Sequence, residues 1–204
     1  MTAVICNGAR RAGSNALRHV VAALGFEDVG GGIVDSVLRP GPPSPGRTYR
    51  PAGDIESYLR PGQMIGAHSP NLITAHCQVR ILREPKNMAV SWYRWKHASP
   101  TVLGFRQWLD EERMFYNSTV PYFHHWLDAP HLVWFEDLFN PPTVIKIGKW
   151  VGVEVDTKRW DEVCHKAWAQ PGTWTGELSD WREWFDGKAL ANFGARWSQA
   201  EVKL

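Results

Sequence analysis

Side chains that could hold and move an anion are concentrated in a few short stretches of the chain. The stretch VICNGARRAGSNALRHVVAAL, residues 4–24, carries Gly8 and Gly13 with Arg10 and Arg11 between them. A strand that runs into a glycine-containing loop and then a helix presents free backbone N–H groups at the positive end of the helix dipole, which suits a phosphate. The magnesium-triphosphate version of such a loop, G-x-x-x-x-G-K-[ST], needs lysine and then a metal-holding hydroxyl after its second glycine. Ser14 and Asn15 stand in those two places. The loop therefore speaks against magnesium-triphosphate chemistry, while by itself it also fits a structural turn capped by Ser or Asn. A second stretch, VRILREPKNMAVSWYRW, puts Arg83 at the end of an apolar run, Pro85 and Lys86 in a turn, and Ser91 early in a helix. A guanidinium and a helix-borne hydroxyl in that order can converge on one isolated phosphate. A general base working near neutrality is most often histidine, and among His68, His76, His124 and His125 residue type alone makes no choice.

These residues need elements to position them. Ala3 to Cys6 reads as a short buried strand, and Leu17, Val20, Val21 and Leu24 recur at helical spacing until Gly25. Met64 to Ala67, Val79 to Leu82 and His131 to Phe135 read as further interior strands. Helical patterns cover Ala89 to Lys96, Val102 to Arg113, Pro142 to Val151 and Thr157 to Trp168, with Pro142 suited to a first turn. Strands separated by helices predict an α/β fold, a three-layer sandwich around a central, mostly parallel sheet of about five strands, with its site at the carboxyl ends of the strands. The run RPGPPSPGRTYRPAG, Arg39 to Gly53, is expected to be an exposed loop placed to lie over a pocket.

The totals narrow the function classes. A length of 204 residues suits a single domain spanning 1–204. A formal charge of +2 with nearly balanced acids and bases is not that of a nucleic-acid binder, although local basic clusters can hold a small anion. The three cysteines, Cys6, Cys77 and Cys164, are odd in number and widely spaced, so neither a disulfide framework nor a thiolate zinc site is expected and a reducing cytoplasm fits. The stretch AVIC before the first polar residues is far short of a signal-peptide core, and no run of about 18 apolar residues occurs to cross a membrane. The twelve tryptophans read mainly as packing. Trp92, Tyr93, Trp95 and Trp108 have two readings, packing or the wall of an aromatic acceptor pocket.

Four stretches together resemble the sulfotransferases that use 3′-phosphoadenosine-5′-phosphosulfate (PAPS), a family with a P-loop-like fold. GARRAGSNAL resembles the loop that receives the 5′-phosphosulfate, and VRILREPKNMAVSWYRW the 3′-phosphate element R-[ND]-P-x-D-x-x-x-S, with Arg83 and Ser91 at its matching ends. HLVWFEDLFNPP resembles the Y-E-D-L segment and WTGELSDWREWF the later G-D-W-K element. The matches fall in the family's order and span most of the chain.

The resemblance implies an enzyme that transfers a sulfuryl group from PAPS to a hydroxyl or amine of a small-molecule or carbohydrate acceptor, releasing adenosine 3′,5′-bisphosphate (PAP), without a metal. It implies cofactor contacts from Arg10, Arg11, Ala12, Gly13, Ser14 and Asn15 to the 5′-phosphosulfate and from Arg83 and Ser91 to the 3′-phosphate. Adenine contacts are implied for Phe135, in the place of the motif's tyrosine, and for Trp168. MIGAHSPNLI resembles the T-H-L-P segment and makes His68 the catalytic base, while Arg11 takes the position of the family's catalytic lysine. Arginine cannot readily give up a proton there. The usual R-K-G triplet is absent, and QPGTWTGELSDW stands in its place. Two alternatives accompany this expectation: a P-loop phosphotransferase, and a catalytically idle binding module that keeps the fold.

Overall fold

A computed structural model describes residues 2–30, 32–34, 49–50, 59–170 and 180–201. Strand β1, Val4–Gly8, is buried at all its positions, as a parallel strand covered on both faces must be. Its neighbours are β5, Gln63–His68, on one side and β6, Cys77–Leu82, on the other, both parallel to it. Beyond β6 lies β7, Leu132–Trp134, and beyond β5 lie β3, Gly32–Val34, and β4, Tyr49–Arg50. The two-residue β2, Glu27–Asp28, also pairs with β5. The order is β4-β3-β5-β1-β6-β7 with every pairing parallel. The expected strands at β1, β5, β6 and β7 are present; β2, β3 and β4, too short to carry a period, are additions. Most of the proline-rich run from Arg39 to Gly53 lies outside the described residues, and Tyr49 and Arg50 within it form β4.

Alternation along the strands builds a core on each face. Val4 and Cys6 point to a cluster with Leu17, Val20 and Val21 of α1 (Ser14–Ala23), Val144 and Ile147 of α5 (Pro141–Val151), and Val163 of α6 (Thr157–Trp168). Ile5, Ile65 and Ala67 belong to a separate cluster. Another holds Met88 and Trp92 of α2 (Pro85–Lys96), Phe105 of α3 (Val102–Glu111), Phe115 and Phe123 of α4 (Met114–Trp126), and Phe193 of α7 (Gly187–Glu201). Helices thus sandwich the sheet.

Several boundaries differ from the sequence expectation. Pro85 and Lys86 are not a turn before the helix but its first turn: the Glu84 side chain accepts from the backbone N–H groups of Lys86 and Asn87, and proline is at home at the first helical position. The third helix stops at Glu111 because the Glu112 carboxylate accepts from the Met114 and Phe115 amides and starts α4. Helix α4 carries no clean period, since Pro121 sits inside it and Phe115, Tyr116, Ser118, Thr119, Val120, Tyr122, Phe123 and Trp126 are all buried.

Candidate functional site

The strand order β5-β1-β6-β7 lines up the ends of four adjacent strands. His68 ends β5, Gly8 ends β1, Arg83 follows β6 and Phe135 follows β7. All strands being parallel, these residues share one edge of the sheet, where helix N-termini also gather.

The loop after β1 is tightly wound. The Ala12 N–H donates to the Ala9 carbonyl at 3.1 Å. Arg11 has φ +67° and Gly13 φ +95°, both in the left-handed region that side-chain-bearing residues seldom enter. Gly13 is the N-cap of α1 and no side chain caps that helix. The capping alternative for Ser14 and Asn15 is therefore not taken: they are the first residues of the helix, and its leading N–H groups are left to a ligand or to water. A Cβ on Gly13 would lie 2.1 Å from Cδ2 of Phe135, and one on Gly8 would lie 2.7 Å from Cγ2 of Ile81. Both glycines thus let the loop settle against its neighbours. Ala12 is fully buried, so only its backbone can serve a ligand; Asn15 is exposed and Arg10 half-buried.

The second stretch, Arg83 to Ser91, meets this loop. Arg11 Nε donates to Ser91 Oγ at 3.2 Å across 80 positions of sequence. The same guanidinium lies 5.9 Å from the centroid of the Trp95 ring, one helical turn beyond Ser91. Arg83 is 8 % exposed, its guanidinium lies 4.7 Å from the centroid of the Phe135 ring, and its Nε approaches Glu136 Oε1 at 3.9 Å. Burial lowers the Arg83 pKa from the ordinary guanidinium value, Glu136 opposes that lowering, and nearby Arg11 adds to it. Arg11 and Arg83 are thus near enough to repel each other, and Glu136 and Glu84 offset part of that charge. Arg83 Nε is buried without a hydrogen-bond partner, as is Asn87 Oδ1 one turn into α2. Burying such a donor unmet costs about 1–3 kcal/mol, which a bound phosphate would recover. The unmet guanidinium donor therefore fits an isolated phosphate.

His68 stands on the other side of the loop. Its Nδ1 lies 2.6 Å from the Gly8 carbonyl oxygen. A carbonyl can only accept, so Nδ1 carries the hydrogen and Nε2 is the basic nitrogen.

The adenine-facing residues are placed unequally. Phe135 is brought to the site, but as a buried ring lying between Gly13 and Arg83, 7 % exposed, and not as an open stacking platform. Trp168, at the end of α6, is 47 % exposed and leans on Phe139 at 5.1 Å. In the aromatic group, packing wins for Trp92, Tyr93 and Trp108, which belong to the core beneath α2 to α4, whereas Trp95 is 61 % exposed. The WTGELSDWREWF match lies outside the described residues through 179; its remainder forms a 3₁₀ turn, Trp181–Glu183, whose first ring is 4.5 Å from Lys86 Nζ. Sequence reasoning did not single out Glu136. It lies inside the quoted FEDL run, and its carboxylate accepts from the Glu84 N–H at 3.2 Å beside Arg83. A cleft of about 570 Å³ lies elsewhere, among α3, α4 and α7, lined by Asp110, Arg113, Tyr116 and Arg196 among others; none of the residues above borders it.

No protein-family model and no curated protein sequence matches the chain. Solved structures do. Mouse sulfotransferase SULT7A1 complexed with PAP superposes with a TM-score of 0.60 at 14 % identity, over 98 % of this chain and 84 % of that one. Retinol dehydratase in complex with androsterone and inactive cofactor PAP superposes with a TM-score of 0.61 at 15 % identity, over 97 % of this chain and 80 % of that one. With an all-parallel sheet, helices on both faces and a glycine loop leading into α1, the chain has the sulfotransferase fold.

Proposed function

We propose that this protein is a sulfotransferase that moves a sulfuryl group from PAPS to a hydroxyl or amine of a small-molecule or carbohydrate acceptor. The observation that carries the reading is the convergence of two anion elements: Arg11 of the β1 loop bonds Ser91 of α2, while Arg83, buried with an unmet donor, stands over the ring that packs on Gly13. Two groups of anion-binding side chains brought this close suit an adenosine phosphorylated at two positions. That both solved relatives carry PAP supports the same reading.

In this assignment the backbone N–H groups of Gly13, Ser14 and Asn15 and the Ser14 hydroxyl hold the 5′-phosphate, with Arg10 at the loop's edge. Arg83 and Ser91 hold the 3′-phosphate, and Trp168 offers a ring surface to adenine. The acceptor atom attacks sulfur, the bond from sulfur to the phosphate oxygen breaks, and that electron pair leaves with PAP. Charge growing on the departing phosphate is met by Arg11, whose position is fixed before the reaction begins. Arg11 keeps its proton, so its contribution is electrostatic. The proton released by the acceptor passes to Nε2 of His68.

The test measures binding and turnover together. Wild-type protein with labelled PAPS and an acceptor panel, read by mass spectrometry for added sulfate, is expected to yield product. His68→Ala is expected to lose about 10²–10⁴ in rate while binding PAP as before. Binding of PAP with transfer to no acceptor would establish the idle module instead, and a preference for magnesium ATP over PAP would establish the phosphotransferase.

A further inference from the structure

The parallel pairing of β1 and β5 ends at Asn7 opposite Ala67, one residue short of His68 and of Gly8. Past that point the backbones are joined by a side chain. Asn7, fully buried, donates from Nδ2 to the Ser69 carbonyl at 2.7 Å and accepts at Oδ1 from the Ser69 N–H at 3.2 Å. Its carboxamide thus takes up both polar groups of Ser69, as one more rung of the ladder would. The second Nδ2 hydrogen goes to Gln78 Oε1 of β6 at 2.8 Å, and Gln78 Nε2 donates to the Leu72 carbonyl at 3.2 Å. Each amide then has one orientation that satisfies every partner; turning either over sets donor against donor or acceptor against acceptor.

The two residues that meet in the histidine contact, Gly8 and His68, directly follow Asn7 and directly precede Ser69. We infer that Asn7, with its carboxamide held by Gln78, is a positioning residue that fixes the Gly8 carbonyl against Nδ1 of His68 and so selects Nε2 as the base. The inference rests on the role given to His68 above. Asn7 touches neither donor nor acceptor in this scheme and acts through the imidazole.

Asn7→Asp keeps an acceptor for the Ser69 N–H but sets an oxygen against the Ser69 carbonyl and Gln78 Oε1. Gln78→Met removes one bond to Asn7 and leaves Asn7 paired with Ser69, and it is the deciding variant if Asn7→Asp does not fold. With ¹⁵N-labelled histidine, the wild-type His68 ring is expected to show one tautomer, protonated at Nδ1, and each variant a mixture of tautomers or an exchange-broadened ring. Turnover is expected to fall about 10- to 100-fold in kcat, the scale of a misplaced catalytic group, and Gln78→Met, which adds no charge beside the loop, is expected to keep the Kd for PAP within about twofold of wild type. A folded Gln78→Met protein with an unchanged His68 spectrum and unchanged kcat overturns the inference. If wild type sulfates no acceptor, the ring spectra still decide the role of Asn7, and the proposed function falls separately.

Discussion

Arg83 carries the selectivity of the proposed donor site. Its guanidinium is buried, held over Phe135 by a cation–π contact worth about 0.5–2 kcal/mol and flanked by Glu136 at 3.9 Å, so it is preorganised before ligand arrives. A charged hydrogen bond lost there costs about 1.5–3 kcal/mol, or about ten- to a hundredfold in affinity. Arg83→Ala is accordingly expected to weaken PAP by that factor and adenosine 5′-phosphate far less, because only PAP carries the 3′-phosphate. Calorimetric titration of both ligands checks this, and equal losses would remove Arg83 from the 3′ site. Arg11 differs in kind: its left-handed backbone and its bond to Ser91 place strain where the chemistry is proposed.

At the scale of elements, Glu112 joins three helices. Its carboxylate pairs with Lys96 of α2 at 2.7 Å, accepts from Trp108 Nε1 of α3 at 3.0 Å, and accepts from the Met114 and Phe115 amides that open α4. Burial pushes the Glu112 pKa up, but the bonds from Lys96, Phe115 and Met114 outweigh it and hold the carboxyl below its ordinary 4.5. A carboxyl with a depressed folded pKa stabilises the fold above its unfolded pKa, and that stability is lost as pH falls through the folded value. Glu112→Ala should therefore cost about 2 kcal/mol in urea unfolding at pH 7, the scale of a lost helix cap with its hydrogen bonds. The difference from wild type is expected to shrink below pH 4.5; a difference that persisted unchanged at pH 3 would assign Glu112 a purely steric part. Because α2 carries Ser91, this junction also sets where Ser91 stands.

For the whole molecule, the proposed ligand bridges structure that the chain makes far apart. The site draws on the ends of β1, β5, β6 and β7 and on the starts of α1 and α2, so a ligand there binds only when the sheet is assembled. Binding the native state alone stabilises it by mass action, about 2.7 kcal/mol at a hundred times Kd. For a chain of this size each kcal/mol is worth about 2–4 °C, so saturating PAP should raise Tm by several degrees. Arg83→Ala at the same PAP concentration should show a smaller shift. No shift in wild type at millimolar PAP would dismiss donor binding.

The sequence by itself determined the layered α/β architecture, because buried parallel strands and amphipathic helices are local patterns: Val79 to Leu82 and Thr157 to Trp168 are written in periods that a few neighbouring residues suffice to show. It also carried the two arginine-bearing stretches proposed as anion elements, whose residue types suit the charge and the backbone freedom a phosphate requires. Only the tertiary structure decided how these meet. The Arg11 contact with Ser91 spans 80 positions, Phe135 became the buried ring beneath Arg83, and Trp92 and Tyr93 went to the core while Trp95 stayed outside. Helix α4 was hidden because residue type and burial disagree along it: polar Ser118 and Thr119 are buried, while Met114 lies on the exposed stripe with Asn117, His124 and His125, and Pro121 sits inside it. Burial and long-range pairing depend on what the rest of the chain brings alongside, and no local spacing records that.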